Sequence, residues 1–470
     1  KEGEIKAHDS VQANWDNNKA SLRLDAGTIF GQIEGNVTVG ALEGAGTVLL
    51  GYDTYRPVMN IGYGDASAVF TGNVQEDRRY SANTVGAMTK IGLGTQTLAG
   101  TNNWFRGNMT VNNGILNFSN TGNLTANALW IGNTAGSRGR VDIQTGNKLT
   151  TYANNDRYGV VLGDNGGAGA MYQDGGVVDI NALASINNFM IGKSAGSYGY
   201  YGISDGYLEL TEFGIGSQGG GNGVLEVKGG TIKVTDYFLP SRADSGSGQT
   251  GIVNLLGGTV QVNNGRANTS YDLAFNVGFS GPTAKTSIMT VANNATLWVT
   301  NRGINLNNNG NNTGILNLNG GTVRTAYIRS TDTAGSQLLN FNGGTIATTM
   351  NSWDFLTGVD RITIHQGGAK FDTAGFNVGI NQSLQAPAGK GLSSVAIADG
   401  GTGYIAPPIV EITGGGGSGA TAYAEIDRVT GAVTNIVISN PGNGYTSPPT
   451  VVLKQGGSLT AATLGTVALA

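Results

Sequence analysis

The sequence predicts an all-β fold: a single-chain β-solenoid followed by a small β module at the C-terminus. Three observations predict it. A short motif returns mostly every 23 to 30 residues, strand patterning is pervasive while no dozen residues keep a capped helical period, and Gly with Asn fills about 27% of the 470 residues. The glycine is not collagen-like, since no Gly-X-Y period exists, and nine prolines with 39% apolar residues argue against a disordered chain. Corners of a coil need positive φ, which Gly and Asn tolerate best. With no Cys, disulfides, thiolate metal sites and thiol nucleophiles are excluded. A net charge of −4 gives no electrostatic case for nucleic acid or an anionic membrane, and no stretch is apolar enough for a transmembrane helix. The chain opens on Lys1 without Met or an apolar leader, so targeting is not legible in it.

Residues 1–25 form a charged segment, expected to cap the coil or to add as a strand to a neighbouring copy, with Trp15 as its anchor. The solenoid is expected over 26–385. Its unit runs from an apolar residue before Ile-Gly, through a glycine loop, to a strand, Gly-Gly, and a second strand opening on Thr or Val. LWIGN, VVLGD, FMIGK and FGIGS carry the first part; Gly229-Gly230-Thr231, Gly257-Gly258-Thr259, Gly320-Gly321-Thr322 and Gly343-Gly344-Thr345 carry the second. VLEVKGGTIKV and GILNLNGGTVRT alternate apolar and polar residues, as half-buried strands do. Roughly 14 rungs spaced about 4.8 Å would stack over this span, leaving unpaired strand edges at the two ends. End-to-end β-sandwiches are the alternative, but they need no shared repeat.

The segment Met88–Phe118, MTKIGLGTQTLAGTNNWFRGNMTVNNGILNF, resembles the passenger-associated repeat of bacterial autotransporters. Lys90, Gly92, Gly94-Thr95, Leu98, Gly100, Asn102, Phe105, Thr110-Val111-Asn112, Gly114 and Leu116 occupy the positions of that pattern, and Ala41–Gly51 and Ala68–Val74 echo it more weakly. The resemblance implies a right-handed parallel β-helix exported to a bacterial surface. The family's C-terminal membrane barrel has no counterpart here, and the final TLGTVALA does not resemble a barrel's last strand.

A linker is expected at 386–394, before a duplicated module at 395–470. VAIADGGTGYIAPPIVEIT and IVISNPGNGYTSPPTVVL are copies of one another, each with a Tyr (Tyr404, Tyr445) three residues before a Pro-Pro pair. The unit resembles a small duplicated β module appended to bacterial surface and phage tail proteins. It is expected to cap the open solenoid end or to serve as an assembly contact.

Little in the sequence carries chemistry. His8 and His365 are the only histidines and belong to no triad or metal motif. A polysaccharide lyase or glycosidase of β-helix type would need clustered acids. Asp205, Glu209, Glu212 and Glu226 are the candidates, but Glu209 and Glu226 alternate with apolar neighbours as solvent-facing strand residues do, and Glu76-Asp77-Arg78-Arg79 reads as a charged loop tip. No catalytic, cofactor or metal residue is therefore expected. Seven of 17 tyrosines fall between Tyr152 and Tyr207, and the best candidate for an assembly or ligand surface comprises Tyr198, Tyr200, Tyr201, Tyr207, Tyr404 and Tyr445, with Trp15. The expected function is structural or adhesive, without catalysis, in a surface filament or coat. The expected partners are further copies of the chain, then glycan, with no nucleic acid and no membrane insertion, outside the cell or on a bacterial surface. The alternatives are the polysaccharide-active enzyme and a phage tail fibre or spike.

Overall fold

A computed structural model describes residues 3–7, 18–32, 34–119, 122–152, 158–180, 188–217, 219–241, 248–263, 275–276, 284–300, 302–307, 310–332 and 334–470. Its fold is a parallel stacked β-solenoid of about 13 turns with a small antiparallel C-terminal module. The chain divides into two compact units, residues 1–189 with 203–211, and residues 190–202 with 212–470.

In the first unit the rungs are built of three strands, and from Leu22–Leu24 to Arg138–Gln144 each strand pairs in parallel with the one three places later. The Ile-Gly column contains Val37–Val39, Val58–Ile61, Ala87–Lys90, Met109–Val111, Leu129–Ile131 and Tyr158–Leu162. Its register sets Val37, Met59, Met88, Met109, Leu129 and Val160 above one another, all fully buried. The middle column includes Leu22–Leu24, Leu42–Gly44, Ala68–Phe70, Thr95–Leu98, Asn113–Phe118 and Arg138–Gln144. The third column starts with Gly3–Ala7, which pairs with Thr28–Gln32, and continues through Thr47–Leu50, Asn73–Glu76, Asn103–Trp104, Asn123–Ala126 and Lys148–Thr151. Because Cβ atoms alternate between the two faces, one in-register ladder of inward apolar residues per column builds the core.

The segment Met88–Phe118 occupies one rung and the start of the next. Its Lys90 sits at an inward position, between Ile61 and Val111 in the ladder, and is fully buried. The aliphatic stem fills the core, while Nζ turns to the corner and donates to the carbonyls of Ile91 (2.5 Å), Gly92 (2.8 Å) and Asn113 (3.3 Å). Gly92 makes that corner at φ 66°, where a Cβ would lie 1.9 Å from the Gly62 carbonyl oxygen of the preceding rung. Lys and Gly-x-Gly in this motif therefore solve one problem, a tight corner whose carbonyls point inward.

The second unit repeats the three-strand rung. Its middle column is Asn222–Val227, Thr250–Leu255, Thr286–Ala292, Asn312–Asn319, Gly335–Phe341, Arg361–Ile364 and Leu384–Gln385. Its Gly-Gly-Thr column runs from the start of Thr231–Pro240 through Thr259–Val262, Thr296–Val299, Thr322–Thr325 and Thr345–Thr348 to Lys370–Asp372. The module pairs Leu392–Asp399 with Thr463–Leu469, Ile409–Thr413 with Thr450–Lys454, and Thr421–Ile426 with Val433–Asn440, all antiparallel. Leu392, Val395, Tyr404, Val410, Ala422, Ala424, Val433 and Ile436 form its own core. The duplication has a packing reason. A Cβ on Gly456 would lie 2.7 Å from the Tyr404 ring, and one on Gly417 2.5 Å from the Tyr445 ring, so each tyrosine packs on a glycine loop.

Burial pushes the Lys90 ammonium from its ordinary 10.5 down to about 8. The unfolded chain keeps that proton to higher pH, so between these values the unfolded state binds more protons and the residue's contribution to stability grows as pH rises. Urea unfolding at pH 7, 8.5 and 10 is expected to show this gain in the parent and none of it in Lys90→Met. At pH 7 the substitution costs about 2 kcal/mol, because three inward carbonyls lose their donor.

Candidate functional site

A concavity lies within the second unit, where the module rests on the outer face of the middle column. The outward positions of successive rungs form two ladders. The first is Val224, Ile252, Ile288, Ile315, Leu338 and Arg361, and the second is Glu226, Asn254, Thr290, Asn317, Asn340 and Thr363. Outward residues on a solvent-facing sheet would be polar and exposed. Here Val224, Ile252, Ile315 and Leu338 are buried, and every member of the second ladder is at most 4% exposed, because the module covers them. Asn340 donates to the side-chain Oδ1 of Asn317 (2.9 Å), and Asn317 Nδ2 donates in turn to the Thr421 hydroxyl of the module (2.9 Å). Further pins are Asn319 to the Ser439 carbonyl, Asn443 to the Thr363 hydroxyl, Tyr198 to the Pro407 carbonyl, and the contact between Asn440 and His365. The module thus lies along the flank, and residues 372–377 and 383–390 beyond the last full rung stay exposed.

Between module and flank remains a cavity of about 500 Å3, within the range of small-ligand sites. Its floor is the apolar ladder from Ile252 to Leu338. One wall is a row of hydroxyls, Thr250, Thr286, Thr313 and Ser336, one per rung. The module supplies Ile409–Thr413, the glycine loop and Tyr445. Glu411 and Lys454 are the charged residues of the lining and they pair with each other at 2.6 Å. The site therefore offers hydroxyls over an apolar floor, with no unpaired charge.

The tyrosines expected from sequence to form an assembly or ligand surface are mostly buried, and Tyr445 is the one of them that lines the cleft. Tyr198, Tyr200 and Tyr201 are at most 2% exposed, and Tyr404 and Tyr445 are 5% exposed inside the module. Tyr201 points into the core toward Phe213, with ring centroids 6.3 Å apart, and Tyr200 donates to Glu226 (3.1 Å). Tyr207, in the first unit, is half-buried and donates to Glu209 (2.6 Å); burial and that bond push its hydroxyl up to about 12. Trp15 and His8 lie outside the described residues.

Glu226 is held by Lys228 (2.7 Å), and among the described residues no group of three metal-binding side chains occurs. Glu76 and Asp77 are a correction, because the expected loop tip is a buried ion-pair knot. Glu76 accepts from Arg106 Nε (2.9 Å) and Asp77 from Arg79 (2.7 Å), both carboxylate side chains being fully buried. Arg78 lies over the Trp104 ring at 4.1 Å. Arg79 also grips Glu4 of the N-terminal strand (2.6 Å), which holds the Glu4 carboxyl below its usual range.

Comparison with family models, with curated proteins and with solved structures finds no match.

The docked flank has a direct test in a chain without Cys. Thr290→Cys places the sole thiol under the module, and it should resist a water-soluble maleimide. Adding Ile315→Lys buries an unpaired charge and should weaken docking by several kcal/mol, raising the labelling rate at least tenfold with far-UV circular dichroism unchanged.

Proposed function

We propose that this chain is a non-catalytic structural and adhesive solenoid that joins copies of itself end to end on the outside of a cell. The observation that carries the reading is the treatment of the last rung. Among the described residues, Lys370–Asp372 pairs only with Thr345–Ala347, and Leu384–Gln385 only with Ile362–Thr363. The module, which would be the natural cap, is engaged on the flank instead. Parallel strands left with a free edge invite another chain, and natural proteins blunt such edges unless they are used. The bacterial surface setting rests on the resemblance of Met88–Phe118 to the autotransporter repeat. The engaged acids support a role without catalysis, because Glu76, Asp77 and Glu226 are each paired with a cation.

For adhesion, the cleft in the second unit supports contact with a neutral glycan. Sugar rings present apolar faces and equatorial hydroxyls, which match an apolar floor beside a hydroxyl ladder repeating once per rung.

Electron microscopy and sedimentation of the purified chain at micromolar concentration should show elongated assemblies that grow by addition at their ends. A monodisperse monomer overturns the reading, and a trimer with a threefold axis favours a phage fibre. Calorimetric titration with neutral oligosaccharides tests the adhesive part. Thr286→Val with Thr313→Val should weaken binding at least tenfold, and no binding by the parent removes the glycan from the proposal.

A further inference from the structure

The N-terminal strand and the last rung carry matching patterns. Gly3–Ala7 pairs on one side with Thr28–Gln32, and no further strand pairs with it among the described residues. Its Ile5 stands in register with Phe30, and the inward ladder continues through Val48 and Val74, all fully buried. Ile5 is therefore a core position, yet it is 51% exposed, with no described strand pairing on its outer side. At the other end, Phe371 continues the inward ladder of Leu297, Val323 and Ile346. It too is a core position with cover on one side, and it stays half-buried against Phe341 at 5.5 Å.

The winding order agrees. The last rung ends on a middle-column strand, Leu384–Gln385. In the first unit the middle-column strand Leu22–Leu24 is followed by Thr28–Gln32, the column in which Gly3–Ala7 sits. A second copy offering Gly3–Ala7 to Lys370–Asp372 supplies the strand that comes next in the winding.

Resting on the end-to-end reading, we infer that the joint is an intermolecular parallel strand pair. In it Ile5 of one copy covers Phe371 of the next, with Glu4 opposite Lys370 and Lys6 opposite Asp372. Side-chain alternation forces the register to even steps, since a shift of one residue turns Ile5 away from the core. A shift of two in one direction sets Lys6 against Lys370, and in the other sets Glu4 against Asp372. Both place like charges directly opposite, which disfavours the pairing. One register remains, and it satisfies both charge pairs and the apolar pair together. Glu4 and Lys6 are already oriented on the strand, through Arg79 (2.6 Å) and the Tyr80 hydroxyl (2.9 Å).

The test is a charge exchange read by sedimentation and electron microscopy. Glu4→Lys alone and Lys370→Glu alone should each raise the concentration needed for assembly at least tenfold, and the two together should return it to the parent's value. Lys6→Asp with Asp372→Lys should repeat the pattern, and circular dichroism identifies any variant that fails to fold. Oxidising a mixture of Glu4→Cys and Lys370→Cys chains should give a covalent heterodimer. Parent-like assembly by every single variant, or single-variant losses that neither double restores, overturns this joint while end-to-end assembly stands. A parent chain that never assembles overturns both.

Discussion

In-register parallel hydrogen bonding between successive rungs is the interaction on which the rest of the structure depends. It fixes a column of Cβ atoms at the strand spacing, about 4.8 Å, so every choice of residue is made once per rung and repeated. Inward columns must then be apolar at each level, as the six-level ladder from Val37 to Val160 is. A polar residue survives inside only if its polar end can leave the column. Lys90 satisfies that condition because its stem is long enough for Nζ to reach the carbonyls of the Gly92 corner.

The same rule makes the outward columns informative. In the first unit, outward Arg140 and Asp142 pair with each other at 2.8 Å and flank inward Val141, the alternation of a half-buried strand. In the second unit, outward Val224, Ile252, Ile315 and Leu338 break that alternation, and each adjoins an inward apolar residue. Apolar side chains on both faces describe a strand with something on each side. The flank is thus a core interface between solenoid and module, pinned by Asn317 and Asn319, whose amides would be costly to bury without Thr421 and Ser439.

This explains what was legible in the sequence. Rung spacing, corners and the strand character of each motif follow from local residue types, and so the solenoid and the separate duplicated module were readable. The tyrosines were misread because their density along the chain says nothing about parity. Tyr200 and Tyr201 are adjacent, so alternation alone forbids them from sharing one flat surface. Docking on the flank depends on complementarity between Asn222–Phe341 and a segment about a hundred residues later, which no local pattern encodes. One signal was present: VLEV, IVNL, ILNL and LLNF carry paired apolar residues where a solvent-facing strand would alternate. The ion-pair knot was hidden because a run of four charges resembles a loop until Arg106 and Glu4 are brought to it.

Flank and ends therefore differ in what they leave unfinished. On the flank, Asn317 and Thr363 of the second ladder find partners in the module, and Val224, Ile252, Ile315 and Leu338 are buried. At the last rung, the backbone groups of Lys370–Asp372 facing away from Thr345–Ala347 have no strand beside them among the described residues, and Phe371 is half-buried. Buried or not, a strand edge is the most reactive surface a solenoid possesses, since pairing completes hydrogen bonds and extends the core in one step. A module that stabilises the flank while leaving that edge open concentrates the chain's remaining association energy at its ends. The end-to-end joint proposed above answers that distribution by pairing the open edge of Lys370–Asp372.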